Sequence, residues 1–144
     1  MGGLLDINSQ GSKKINVNGG SWYRIAQGTA TPNYPSSILL NLGNSFGNTN
    51  QRHSLIYASF NSYGGNVVSK IAGTTNRIIT KVRVVKKEVT SMAYNYLDVY
   101  VGDETGTNIL YISASNMIDS KLIEPINVTD QSIPDGYTSV EFDV

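Results

Sequence analysis

The sequence contains no cysteine and only one histidine. Without cysteine the chain cannot form a disulfide, so a disulfide-stapled scaffold is excluded. The lack of cysteine does not indicate whether the protein works in an oxidising or a reducing compartment. The same shortage excludes the usual zinc ligand sets. Asp103, Glu104 and Asn108 carry oxygen ligands, but their spacing follows no calcium-loop pattern. We therefore expect no metal and no cofactor, and we interpret this acidic segment as a hairpin loop.

The sequence also has no excess of positive or negative charge and no long apolar run. Eleven basic residues balance eleven acidic ones, and only Lys81–Lys87 approaches the basic cluster that phosphate binding needs. No stretch reaches the roughly 20 apolar residues of a membrane-spanning helix. The segment Met1–Asp6 lacks the basic and apolar regions of a secretory signal. We expect no nucleic-acid partner and no membrane insertion.

Signatures of catalysis are scarce. The chain has no G-x-S-x-G motif for a serine nucleophile. His53 follows the polar run Asn48–Arg52, where it is either a general base or receptor contact, or simply a solvated residue of a loop or strand edge. The acidic residues of the predicted strands mostly occupy solvated positions, and no pair stands out for glycoside hydrolysis. We expect a binding protein that is not an enzyme.

Short apolar runs with a period near two alternate with glycine and asparagine turns, a pattern typical of β-strands. The predicted strands are Trp22–Gln27, Ser37–Leu42, Ser54–Phe60, Asn66–Ile71, Arg77–Lys86, Tyr94–Val101, Asn108–Ser113, Leu122–Val128 and Tyr137–Val144. About nine strands with frequent turns predict an all-β fold, an antiparallel β-sandwich that is jelly-roll-like. Ser115–Lys121 is the one segment where we expect a helical turn.

The length of 144 residues fits one domain. Residues 1–20 have little apolar content, so we assign them to an N-terminal arm or linker, with a loosely paired edge strand as the alternative. Residues 21–144 form the predicted sandwich head domain.

Alternation assigns side chains to the two faces of the predicted strands. In Tyr94–Val101, the residues Leu97, Val99 and Val101 share the dry side, and Tyr96, Asp98 and Tyr100 share the wet side. In Arg77–Lys86, the residues Ile78, Val82 and Val84 lie opposite Lys81 and Arg83. A slip of one residue would expose each apolar row, so these registers should be strongly specified.

Nine tyrosines against three phenylalanines indicate a binding surface, because tyrosine combines an apolar face with a hydroxyl. The loop-rich first half places tyrosines beside asparagines, whose amides both donate and accept hydrogen bonds. The candidate ligand-binding residues are Tyr34, Asn50, His53, Tyr57 and Tyr63. The predicted loops around Tyr34, Gly43–His53 and Ser62–Gly65 would carry the ligand. Cross-strand packing or a subunit interface remains the alternative for these tyrosines and for Tyr94, Tyr96 and Tyr100.

Three motifs resemble those of a known family. Asn18–Ala26 reads N-G-G-S-W-Y-R-I-A, and it is followed by Lys81–Val85, K-V-R-V-V, and by Tyr96–Val101, Y-L-D-V-Y-V. Their order and spacing resemble C-terminal modules of bacteriophage tail and minor structural proteins, also found in prophages. The family often has glycine where this chain has Ser21. We interpret the motif residues as structural residues that do not bind ligand. Arg24 and Arg83 are expected to pair with acids such as Asp98 or to stack on tyrosine.

The resemblance implies a homotrimeric sandwich tip of a phage tail fibre or receptor-binding protein. Such a module is expected in the virion tail, with other tail proteins and a host cell-surface glycan or receptor as partners. It implies no catalytic residues. The alternative is a purely structural virion module, in a baseplate or a head decoration, that binds no receptor. A depolymerising enzyme domain and a bacterial adhesin are further alternatives.

Overall fold

The structure, a computed structural model, describes residues 11–28, 36–46, 50–61, 65–87, 94–103, 107–129, 133 and 136–144. Within these ranges the chain forms ten β-strands and no α-helix. The strands are β1 Gly11–Asn18, β2 Ser21–Gly28, β3 Ser36–Phe46, β4 Asn50–Phe60, β5 Val67–Gly73, β6 Ile79–Lys87, β7 Tyr96–Val101, β8 Thr107–Ile118, β9 Ser120–Asn127 and β10 Tyr137–Asp143.

Two antiparallel sheets of five strands pack face to face. Sheet A has the order β1-β8-β3-β4-β5, and sheet B has the order β10-β6-β7-β2-β9. Aliphatic side chains from both inner faces form one core, in which Ile25, Leu40, Ile56, Val99 and Leu110 have no exposed surface. The predicted antiparallel β-sandwich is confirmed, with ten strands in place of about nine.

All nine predicted strands are present, and the tenth is β1. It pairs with β8 over eight residues, from Gly11↔Ala114 to Asn18↔Thr107. The sequence predicts an arm for these residues, with an edge strand as the alternative. In the structure they form an edge strand of sheet A.

The helical turn expected in Ser115–Lys121 is wrong. Strand β8 continues to Ile118, which pairs with Ser37 of β3, and β9 begins at Ser120. Between them the chain passes from sheet A to sheet B at Asp119, with φ 49°, after Asn116 with φ 51°. Asn and Asp adopt this left-handed conformation more easily than other side chains do. A short connection between strands of the two sheets is therefore available without a helix.

The predicted faces of β7 are confirmed for the apolar row, since Leu97, Val99 and Val101 are fully buried. On β6, Val82 and Val84 are buried on the same inner face. This alternation leaves the outer face of each sheet for polar and aromatic side chains.

Strands β3 and β4 form a long hairpin with pairs from Ser36↔Phe60 to Phe46↔Asn50. The sequence predicts a ligand-binding loop at Gly43–His53, and the described residues contradict this prediction. Gly43 and Asn44 lie inside β3, and His53 lies inside β4. The pairing continues through them because the hairpin extends well beyond its apolar stretch.

Candidate functional site

Four strands of sheet A bring together residues that are distant in the sequence. On β3, Gly43 pairs with His53 of β4 on one side and with Tyr111 of β8 on the other. Tyr111 in turn pairs with Lys14 of the edge strand β1. Because directly paired residues share a face, these four lie in one row across the outer face of the sheet.

This row lies along a shallow hollow of about 440 Å³, which we name the His53–Tyr111 hollow. Its other polar lining side chains include Asn41 and Ser113, which pair with each other one step along the same face. The hollow therefore lies on the sheet surface, with a base of hydrogen-bonded backbone.

Glycine at position 43 is required by the closeness of the strands. A Cβ atom there would lie 2.2 Å from the carbonyl oxygen of Arg52 and 2.6 Å from Nδ1 of His53. Both distances are too short for any carbon contact. The missing side chain lets the imidazole lie close to the β3 backbone and leaves space beside Tyr111.

The chemistry of the hollow combines one aromatic ring with hydrogen-bonding groups. Tyr111 is 52% exposed, so its ring is open to a ligand instead of being used in the core. Asn41 both donates and accepts hydrogen bonds, Ser113 offers a hydroxyl, and Lys14 donates from a charged ammonium. An exposed aromatic face surrounded by such groups suits a ligand rich in hydroxyls.

Among the predicted ligand-binding residues that the structure describes, His53 lines this hollow. Tyr57 lies on the same sheet and is 40% exposed, but it does not line the hollow. Tyr34, Tyr63 and the side chain of Asn50 lie outside the described residues. Of the two candidates whose side chains the structure describes, His53 lies at the hollow and Tyr57 lies outside it.

Lys14, Asn41 and Tyr111 were not predicted to bind ligand, and Gly43 was included only as the first residue of the predicted loop Gly43–His53. Lys14 was assigned to the arm, and Tyr111 sits in a strand whose ligand potential was not considered. A usable signal was present, because Tyr111 alternates with Leu110 and Ile112, which are buried. That alternation alone predicts an outward-facing tyrosine on β8.

The outer face of sheet B carries a different arrangement, centred on Asp98. Its carboxylate accepts from Nε of Arg24 at 2.8 Å, from Nη2 of Arg24 at 3.2 Å and from Nε of Arg83 at 2.8 Å. The guanidinium of Arg24 lies 4.5 Å from the ring centre of Tyr96, and that of Arg83 lies 4.3 Å from Trp22. The expected pairing with Asp98 is confirmed for both arginines. The expected stacking on tyrosine is found for Arg24, whereas Arg83 stacks on Trp22.

Asp98 has no exposed surface, so placing it among the solvated strand acids is wrong. The face was predicted correctly, but the two long arginine side chains and their aromatic partners cover the carboxylate. Their apolar stems exclude water while their charges satisfy the acid. This arrangement holds β2, β6 and β7 together.

The tyrosines beside Asp98 pack within the same face. The rings of Tyr100 and Trp22 lie 5.2 Å apart at 56°. Tyr100 donates a hydrogen bond to Asp103, and this bond, with desolvation and the nearby carboxylate charge, raises the pKa of Tyr100 above its ordinary value. Burial and the neighbouring Tyr96 likewise raise the pKa of Tyr137. The contacts of Tyr96 and Tyr100 agree with the alternative interpretation, in which these tyrosines pack against side chains of neighbouring strands.

In the part of the chain that the structure describes, no group of three His, Cys, Asp or Glu residues is placed to hold a metal ion. Among the same residues, no helix has the length and apolar character needed to cross a membrane. Comparison with known proteins finds no matching family model, curated protein or solved structure.

Proposed function

We propose that this chain is a glycan-binding module at the tip of a phage tail fibre or receptor-binding protein, where it attaches the virion to the host cell surface. The observation that carries the binding part is the exposed ring of Tyr111 beside Gly43. A sugar ring stacks on such an aromatic face, and its hydroxyls exchange hydrogen bonds with Asn41, Ser113 and Lys14.

The position of the hollow supports recognition of a polymer on a surface. The hollow lies on the central and edge strands of a sheet whose other face is the core, so its geometry is preorganised and little ordering is needed on binding. Shallow sites of this size bind weakly as single copies. The homotrimer that the family resemblance implies would multiply the attachment through effective concentration.

The phage assignment rests on the three sequence motifs and is supported by their arrangement. The motif strands β2, β6 and β7 are neighbours in sheet B. Arg24 and Arg83, from two of the motifs, each form a salt bridge with Asp98 of the third. Motifs that depend on each other in this way behave as one structural unit, which is what a shared module requires.

A glycan array of bacterial surface polysaccharides tests this proposal. The intact protein is expected to bind a subset of the array, and Tyr111→Ala is expected to weaken that binding about tenfold or more, because a central aromatic contact is worth at least about 1.4 kcal/mol. Tyr57→Ala is the matched control, since it removes a similarly exposed tyrosine from the same face.

Circular dichroism of each variant establishes that the sandwich is intact. Absence of any glycan binding by folded protein would contradict the proposal and favour the structural virion module. Equal losses in the Tyr111 and Tyr57 variants would contradict the assignment of the site to the His53–Tyr111 hollow.

A further inference from the structure

A second hollow of about 450 Å³ adjoins the first on the same sheet. Tyr111 lines both hollows. Asn16, Asn44 and Ile109 are among the residues that line the second one, which we name the Asn16–Ile109 hollow. One exposed aromatic ring therefore stands between two adjoining depressions.

The second hollow exists because two strands diverge. Strand β3 pairs with β8 as far as Gly43↔Tyr111. Beyond that pair β8 continues along β1, through Ile109↔Asn16, while β3 continues along β4. The divergence opens a gap between β3 and β8 on the outer surface.

The base of this gap is fixed by Asn44, which is 4% exposed. Its Nδ2 donates to the carbonyl oxygen of Ile109 at 2.9 Å, and its Oδ1 accepts from Nε of Arg52 at 3.1 Å. The side chain thus replaces the missing strand pairing with hydrogen bonds. Both side-chain polar atoms of Asn44 therefore have hydrogen-bond partners at the base of the gap.

From this geometry we infer that the two hollows are subsites of one groove that binds a linear oligosaccharide of at least two sugar units. The inference rests on the proposed glycan-binding function. The outer-face positions Ser113, Tyr111 and Ile109 follow one another along β8, and four residues of strand cover about 13 Å. A single sugar ring cannot occupy both sides of Tyr111 over that length.

The subsites differ in chemistry. The first contains Lys14 and His53 beside the aromatic ring. The second offers the amide of Asn16 and the side chain of Ile109, which is 40% exposed. An exposed apolar side chain next to an amide fits the mixed apolar and hydroxyl surface of a sugar. The bound chain therefore has a defined direction along the groove.

The test uses a glycan array that carries fragments of each bacterial surface polysaccharide. Each polysaccharide is represented by its monosaccharide, its disaccharide and its tetrasaccharide. The tetrasaccharide of a recognised glycan is expected to bind about tenfold more tightly than the monosaccharide. Asn16→Ala and Ile109→Ala are expected to reduce this ratio severalfold. Ser69→Ala, an exposed residue of β5 on the same sheet, is the control and is expected to leave the ratio unchanged.

The outcomes separate the inference from the function on which it rests. Binding that is equal for all three lengths, with no effect of Asn16→Ala, would overturn the two-subsite groove and leave glycan binding intact. Failure of every length to bind would instead overturn the proposed function. The inference would also be overturned if Ser69→Ala reduced the ratio of tetrasaccharide to monosaccharide affinity as much as Asn16→Ala does.

Discussion

At the residue scale, Asp98 shows how the outer face of sheet B is stabilised. A buried carboxylate is costly unless charge and hydrogen bonds replace its water. Arg24 and Arg83 supply three bonds between them, and charge-assisted bonds are among the stronger ones in proteins. These bonds offset the cost of burying the carboxylate, but only while Asp98 and both arginines are present.

Replacing Asp98 by Ala is therefore expected to destabilise the protein by about 3–5 kcal/mol, because two largely covered guanidinium groups lose their counter-charge. Urea unfolding followed by circular dichroism measures the change. The control is Asp143→Ala, an exposed acid on β10, which is expected to change the free energy of unfolding by about 0.5 kcal/mol or less. Similar midpoints for both variants would contradict the role assigned to Asp98.

The sequence predicted the arginine partners of Asp98 but not the burial of its carboxylate. Period-two alternation located Asp98 on the outer face and suggested its arginine partners. It could not indicate that Trp22 and Tyr96 would hold those arginines over the carboxylate, because coverage depends on side chains from neighbouring strands. Which strands are neighbours is not encoded in a local pattern.

At the element scale, nine strands were predictable, whereas the edge strand β1 and the full length of the β3–β4 hairpin were not. The nine predicted strands carry regular alternation. Strand β1 has exposed residues at most of its positions, so its signal is weak. The same applies to the ends of the β3–β4 hairpin, where Gly43 and Asn44 have the composition of a turn but pair as strand residues. Lys14 and Gly43 of the candidate site lie in these weakly patterned parts, whereas Tyr111 lies in the regularly alternating strand β8.

The close approach of β3 and β4 at Gly43 yields a direct prediction. Gly43→Ala is expected to destabilise the protein by about 1–3 kcal/mol, since its Cβ must push the Arg52 backbone away. The same change is expected to weaken glycan binding, because the added methyl group displaces His53. Urea unfolding and array binding measure the two effects.

Gly11→Ala is the matched control for that change. A Cβ there would meet Leu122 at 3.6 Å and Met117 at 3.8 Å, which are ordinary contacts, so stability and binding are expected to stay close to those of the unchanged protein. Wild-type stability in the Gly43 variant would show that the strands separate easily at this point. The hollow would then not have the fixed shape described above.

At the scale of the whole molecule, the two sheets have different roles. Sheet B uses its outer face for contacts among its own side chains. Sheet A leaves Tyr111 and the residues around it open, and the groove combines β1, β8, β3 and β4. The register between strands so far apart in sequence sets this site. A single sequence specifies which residues alternate but not which strands become neighbours, so the groove could not be predicted. The homotrimer and the virion location stay predictions.

The central claim is that ligand binds at the His53–Tyr111 hollow on the face of sheet A. Amide NMR of ¹⁵N-labelled protein, titrated with the tightest-binding array oligosaccharide, tests it most directly. The account predicts that the largest shift changes occur at Tyr111, Gly43 and His53, with Asp98 unaffected. Changes concentrated around Tyr34 and Tyr63 or on sheet B, with none at Tyr111, would contradict it.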